Sequence, residues 1–285
     1  MTAPDRQFLT GRARIAGVMG WPVDHSKSPA LHGFWLREHR IDGAYVPLAV
    51  APHDLAAALR GLAALGFRGA NLTIPHKEPT LALVDVVDDL ARRVGAVNCV
   101  TVVDGRLHAT NTDAFGFMAN LRQGAPHVLP SAAPAVVLGA GGAARAVCVA
   151  LADAGCPEIR IVNRTGERAA ALVGSLGKPL TAIPWKDRAA ALADVMLLVN
   201  TTSLGMQGQP PLDIDLAALP RAAAVNDIVY APLETPLLAA ARARGNIAVD
   251  GLGMLLHQAQ PAFAAWFGVT PTVSAALRAH VLGQT

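Results

Sequence analysis

Short runs of apolar, β-branched residues alternate with alanine-rich stretches along most of the chain, and this alternation predicts a parallel α/β architecture. RIAGVMG (14–20), AYVPLAV (44–50) and GANLTI (69–74) read as strands, the last stopped by Pro75. Between the second and third lies HDLAAALRGLAALG, where Leu55, Leu59, Leu62 and Leu65 recur at helical spacing; Pro52 and Asp54 mark its start and Gly66 its end. NCVTVV and RLHATN flank Asp104-Gly105, a strong two-residue hairpin signal. From about Phe115 the pattern changes: a short helix leads into a proline-containing loop, APHVLPSAAP. AVVL then reads as a strand and ARAVCVALADAG as a helix. IRIVN, VMLLVN and AVNDIVY are further strand candidates with helices between them, and the chain from Leu252 onward is mostly helical. A domain boundary is expected near Asp113, and the chain shows no solenoid repeat or low-complexity tract.

Composition narrows this picture. With 285 residues, 52% hydrophobic and 16% charged, the chain has the length for two ordinary domains or one large one and is not a disordered protein. A net charge of +3 without a Lys/Arg block or a basic helix gives no support for nucleic acid or a membrane surface as a partner. Small phosphorylated or carboxylated ligands suit that charge better. Cys99, Cys148 and Cys156 are too few and too scattered for a disulfide frame or a metal site, so no metal is expected and a reducing compartment is. MTAPDRQFLTGRARIAG lacks the uninterrupted apolar core of a signal peptide, and the apolar stretch 134–152 is broken by Arg145 and by glycines at its start. A cytoplasmic protein, monomer or homodimer, is expected.

The first chemical signal is Gly139-Ala140-Gly141-Gly142-Ala143-Ala144, a dinucleotide fingerprint set between a strand and a helix. Its first glycine permits a tight turn, its second lets a pyrophosphate approach the backbone, and Ala144 allows close helix–sheet packing. About 20 residues on, an NAD enzyme would carry a carboxylate for the ribose 2′-hydroxyl. Here the next strand ends in Asn163-Arg164-Thr165, with Arg168 close behind. Two guanidiniums and a hydroxyl suit a 2′-phosphate, so NADP is the expected cofactor.

Four further clusters are polar. In His25-Ser26-Lys27-Ser28-Pro29, the two hydroxyls of an extended backbone can face one way and bond a carboxylate; Ser28 as a helix cap is the alternative. In Asn71-Leu72-Thr73-Ile74-Pro75-His76-Lys77, strand alternation puts Asn71 and Thr73 on one face and Lys77 just past the tip, where ligands collect in parallel α/β folds. The other two are Gly95-Ala96-Val97-Asn98 and Asn111-Thr112-Asp113, whose Asp113 also reads as the cap of a helix beginning at Ala114.

HSKSP, NLTIPHK, GAVN, NTD, GAGGAARA, NRT, NTTSLGM, DIVYAPLETPLL and GLGMLLHQA, taken in order and spacing, resemble the motifs of shikimate dehydrogenases over about residues 17–268. The resemblance implies a substrate domain over 1–113, completed by 251–285, facing a Rossmann-type NADP domain over 114–250 across a cleft. It implies that Ser26 and Ser28 hold a substrate carboxylate, and that Asn71, Thr73, Asn98 and Asp113 bond its hydroxyls with Thr112 and Gln258 nearby. Lys77 and Asp113 would form the catalytic pair, with Tyr230 near the carboxylate. The cofactor side would be lined by Gly139, Ala140, Gly141, Gly142, Ala143, Asn163, Arg164, Thr165, Arg168, Thr201, Thr202, Ser203, Met206, Ile228, Gly251 and Met254. The implied reaction is reversible NADPH-dependent reduction of 3-dehydroshikimate to shikimate.

Cys99, Ala109-Thr110 and Ala114 depart from the family's usual residues around the hydroxyl-binding wall and bear on substrate range. The nearest alternatives are a quinate/shikimate or aminoshikimate dehydrogenase and, in another class, a non-catalytic shikimate-binding regulator. An intact lysine and glycine loop argue against the regulator.

Overall fold

The computed structural model describes residues 9–284. The first eight residues of MTAPDRQFLTGRARIAG, and with them the outer limits expected for the first domain at 1 and 285, lie outside them. The chain divides into two compact units, one of residues up to Thr112 together with those from Ala259 onward, the other of Asp113–Gln258.

The first unit is built on β1 (Arg14–Gly20), α1 (Ser28–Glu38), β2 (Gly43–Ala49), α2 (Leu55–Ala64), β3 (Gly69–Leu72), β4 (Val86–Val87), α3 (Asp89–Val94), β5 (Cys99–Val103) and β6 (Arg106–Thr110). Its sheet runs β2-β1-β3-β5-β6-β4. β1 pairs in parallel with β2 and β3, whereas β5 runs antiparallel to both β3 and β6. The hairpin forms where expected because Asp104 and Gly105 both take positive φ, 49° and 76°, the twist that two antiparallel strands need from a two-residue turn. α2 buries Leu55, Leu59 and Leu62 against this sheet. Leu65 does not join them: the helix ends at Ala64, and Leu65 is 74% exposed. β3 stops at Leu72, two residues short of the expected end, because the chain turns as His76 N–H donates to Thr73 O at 2.8 Å.

The second unit contains α4 (Asp113–Gly124), β7 (Ala135–Leu138), α5 (Gly142–Asp153), β8 (Ile159–Asn163), α6 (Gly166–Leu176), β9 (Leu180–Pro184), β10 (Leu197–Asn200), β11 (Ala224–Asp227), α7 (Pro236–Ala243) and β12 (Ile247–Val249). Its six strands are all parallel in the order β12-β11-β10-β7-β8-β9. The four inner strands AVVL, IRIVN, LLVN and AVND are almost wholly buried, as parallel strands covered on both faces must be. β9 and β12 escaped the sequence reading because edge strands are short and partly exposed. The helix expected between β10 and β11 is absent. Pro210, Pro211 and Pro220 break that segment, and it covers the core irregularly through Leu212, Leu216 and Leu219.

The chain ends in α8 (Leu252–Phe267) and α9 (Ala275–Leu282). In the first unit Trp35, Phe263 and Phe267 are fully buried, with Trp35 and Phe263 packed edge to face at 5.3 Å. The indole N–H groups also find partners: Trp266 donates to Val100 O and Trp35 to Thr272 O, both at 3.1 Å. No described helix is long and apolar enough to cross a membrane.

Candidate functional site

In the first unit, polar residues from distant segments meet beyond β3. Asn71, in β3, is buried; its Nδ2 donates to the carbonyl of Asn98 at 3.0 Å. Asn98 is buried in turn. Its Nδ2 donates to Thr112 Oγ1 at 3.0 Å, and its Oδ1 accepts from the Thr112 amide at 2.7 Å. Asn111 closes the same junction by donating to Ala96 O at 2.9 Å. The GAVN and NTD segments are therefore held together by their own asparagines.

Lys77 reaches this junction through its backbone, since Val97 N–H donates to Lys77 O at 2.8 Å. The turn that carries it is anchored by His76, fully buried with Nε2 at 2.8 Å from Val50 O, while the Thr80 hydroxyl donates to His76 O. Lys77 itself is half-buried, and Thr73 lies half-buried at the start of the same turn.

The serine pair sits at the start of α1. Ser28 is the first helical residue and is buried, and the capping position falls to Lys27, whose side chain makes no cap bond. The cap reading of Ser28 is thereby set aside. Ser26 is half-buried, its Oγ accepting from Ser28 N–H at 3.3 Å. Lys27 points elsewhere and donates to Val281 O, at the end of α9, at 3.1 Å. Behind the serines lie His32 and Tyr45, which the sequence reading did not single out. Their rings stack 4.0 Å apart and 7° from parallel, and the Tyr45 hydroxyl donates to Asn71 Oδ1 at 2.6 Å. His32 lies one helical turn after Ser28, a spacing that could have drawn attention to it. Cys99 is buried on β5 opposite Asn71, and burial pushes its thiol up to about 12, so it stays protonated as a small apolar filler.

In the second unit, Asp113 opens α4 as its first helical residue rather than capping it from outside, and it is buried. Gln258, also buried, donates to Leu255 O at 3.0 Å. The glycine turn lies between β7 and α5. Gly139 has φ +108°, and a Cβ there would stand 2.6 Å from Thr201 Oγ1. At Gly141 the space is open: a Cβ would meet nothing within 4 Å. Packing thus explains the first glycine but not the second, whose freedom suits close approach of a phosphate ahead of the N-terminus of α5.

The end of β8 completes this side. Asn163 Nδ2 donates to Thr165 O at 2.8 Å, shaping the turn before α6. Arg164, Thr165 and Arg168 are exposed, and neither arginine enters an ion pair among the described residues. Thr201 Oγ1 donates to Leu138 O at 2.6 Å, and Thr202 Oγ1 to Asn200 Oδ1 at 2.7 Å. Ser203 and Met206 are exposed on the same loop; Ile228 and Tyr230 are half-buried; Gly251 and Met254 are buried. Burial raises the Tyr230 phenol above its ordinary value, so it remains a hydroxyl donor at neutral pH. Asn200 and the fully buried Asp227, missed from the sequence, brace this loop from beneath: Asn200 Nδ2 donates to Asp227 Oδ1 at 3.0 Å.

A six-stranded parallel sheet with a glycine turn after its first strand, and an open space at that turn, defines a Rossmann-type dinucleotide-binding protein carrying a second α/β unit. The models of the shikimate dehydrogenase substrate-binding domain and of shikimate/quinate 5-dehydrogenase match residues 18–100 and 125–206. A shikimate dehydrogenase (NADP(+)) of Paramagnetospirillum magneticum is 62% identical over 96% of this chain and 100% of its own length. The crystal structure of shikimate 5-dehydrogenase from Thermus thermophilus in complex with NADP(H) and shikimate is 39% identical, with a TM-score of 0.85 over 95% of this chain and 100% of that one. The quinate dehydrogenase of Corynebacterium glutamicum in complex with NAD is 31% identical, with a TM-score of 0.89 over 95% of this chain and 99% of that one. The chain belongs to the shikimate dehydrogenase family.

Proposed function

We propose that this chain catalyses the reversible, NADP-dependent reduction of 3-dehydroshikimate to shikimate, a reading supported by relatives named shikimate dehydrogenase (NADP(+)). The observation that carries the reading is the junction in which Asn71, Asn98 and Thr112 are hydrogen-bonded beside the turn of Lys77. It provides several fixed amide and hydroxyl groups for a polyhydroxylated ring and a cation for a developing oxyanion.

In this reading most of the substrate's contacts come from residues of the first unit. Ser26 and Ser28 bond its carboxylate, with Tyr230 contributing, while Asn71, Thr73, Asn98, Thr112, Asp113 and Gln258 bond its hydroxyls. The second unit takes NADP, its pyrophosphate on Gly139–Ala143 and its 2′-phosphate on Arg164, Thr165 and Arg168. Thr201, Thr202, Ser203, Met206, Ile228, Gly251 and Met254 line the remainder. Bound NADPH supplies the hydride. As charge develops on the carbonyl oxygen, the Lys77 ammonium stabilises it and delivers the proton, and Asp113 supplies the carboxylate that keeps the lysine charged and oriented. The protein works in the cytoplasm as a monomer or homodimer.

The test is the purified protein with shikimate or quinate and NADP or NAD, followed by absorbance of the reduced cofactor. Shikimate with NADP is expected to give the highest kcat/KM. A higher value with quinate and NAD would move the chain to the quinate branch, and no turnover with any pair would favour a binding protein.

A further inference from the structure

We propose that Tyr45 is a positioning residue for substrate recognition: its buried hydroxyl locks the Asn71 carboxamide in the orientation that turns an N–H toward the substrate. This rests on Asn71 being a substrate-binding residue.

A carboxamide is nearly symmetric in shape, and its orientation is decided by its neighbours. The Asn98 carbonyl can only accept, so the atom 3.0 Å from it is the Asn71 nitrogen. The oxygen then faces Tyr45, whose hydroxyl donates to it at 2.6 Å. The Asn98 carbonyl sets the orientation, and the Tyr45 hydroxyl, which can donate or accept, donates to the oxygen so placed and holds it there. One Nδ2 hydrogen is used on Asn98, and the second remains to meet a ligand oxygen as a donor.

The phenol is suited to a fixed donor and to no proton transfer. Tyr45 is buried, its ring lies flat against fully buried His32, and Trp266 packs 5.9 Å away. Burial drives its pKa well up, against a smaller opposing influence of the Ser28 hydroxyl, so the proton stays on the oxygen. The same phenol thus lies beside a serine assigned to the carboxylate and an asparagine assigned to a hydroxyl.

Tyr45→Phe retains the stacked ring and removes the oxygen. Steady-state kinetics should show the shikimate KM raised roughly 3- to 10-fold, the range of one neutral hydrogen bond, with kcat and the NADP KM within about twofold. The deciding measurement is a double-mutant cycle. In an Asn71→Ala background, Tyr45→Phe should change the shikimate KM no further. An equal rise in both backgrounds, or a KM unmoved by Tyr45→Phe while Asn71→Ala raises it, overturns the positioning role alone. Asn71→Ala with an unaltered KM removes the substrate role of Asn71, and the proposal falls with that reading. Should either variant fail to fold, wild-type protein labelled with 15N-asparagine provides the readout. The Asn71 side-chain NH2 signals should shift on titration with shikimate, and an unmoved pair removes the substrate role of Asn71 and overturns the proposal with it.

Discussion

The hydroxyl of Thr235 donates to Asp227 Oδ2 at 2.7 Å and accepts from the Leu238 amide, so one side chain both satisfies a buried carboxylate and caps α7. Asp227 Oδ1 accepts from Asn200 Nδ2 and from the Val229 amide. Three segments at the carboxyl ends of β10 and β11 are thereby tied to one buried acid, including the loop of Thr201 and Thr202 and the one leading to Tyr230.

Removing that hydroxyl should be costly. Thr235→Ala loses a helix cap, about 1 kcal/mol, and a hydrogen bond to a charged group, about 1.5–3 kcal/mol. A loss of roughly 2–4 kcal/mol at neutral pH is expected in urea unfolding, and Thr235→Ser should restore most of it. A loss under about 0.5 kcal/mol, within the range of ordinary surface changes, would contradict the bracing role.

His32 should make the fold acid-sensitive. Burial lowers its pKa from 6.5 to about 3, with only Asn71 opposing the shift. The unfolded chain takes up this proton near pH 6.5 while the folded chain does not until about pH 3. The contribution is therefore fully present above 6.5 and is lost as pH falls toward 3, by up to about 1.4 kcal/mol per pH unit. His32→Phe keeps an aromatic ring against Tyr45 and removes the titration. Its stability relative to wild type should rise between pH 6.5 and 4, and parallel curves over that range would exclude the linkage.

The two glycines of the turn should separate structure from binding. Gly139→Ala places a methyl against Thr201 at a positive φ and should lower Tm. Gly141→Ala meets no protein atom, so Tm should hold while the NADP KM rises. Matching Tm losses in both variants would show that Gly141 is a folding residue.

The exposed arginines should choose the cofactor. Arg164→Ala with Arg168→Ala removes charge-assisted bonds worth about 1.5–3 kcal/mol each, so the NADP KM should rise on the order of tenfold or more. NAD turnover should barely change. Equal losses with both cofactors would reject the 2′-phosphate assignment.

Lys77 is predicted to act on rate. Lys77→Ala should lower kcat about 10²- to 10⁴-fold with modest changes in shikimate and NADP affinity, and Asp113→Asn should also be slow because it keeps shape and removes charge. Stopped-flow hydride transfer with separate ligand titrations distinguishes the cases. A variant that loses affinity but keeps its turnover number would make Lys77 a binding residue.

Local chemistry determined much of this protein. The alternation of strands and helices, the Asp104-Gly105 hairpin and the glycine turn were legible because each depends on residues close in the chain. So were the polar clusters, which stand out against an apolar background. Element ends were less legible. Leu65 obeys the helical period yet lies outside the helix, and β9 and β12 carry too little burial to show a pattern. What only tertiary structure decided is which polar side chains serve one another. Tyr45 and Asn71 are 26 residues apart, Asn98 and Thr112 are 14 apart, and Asn200 and Asp227 are 27 apart. Nothing in the local pattern marks them as partners, because a buried hydrogen bond is set by strand order and register, which bring distant segments within 3 Å only once the sheets have formed.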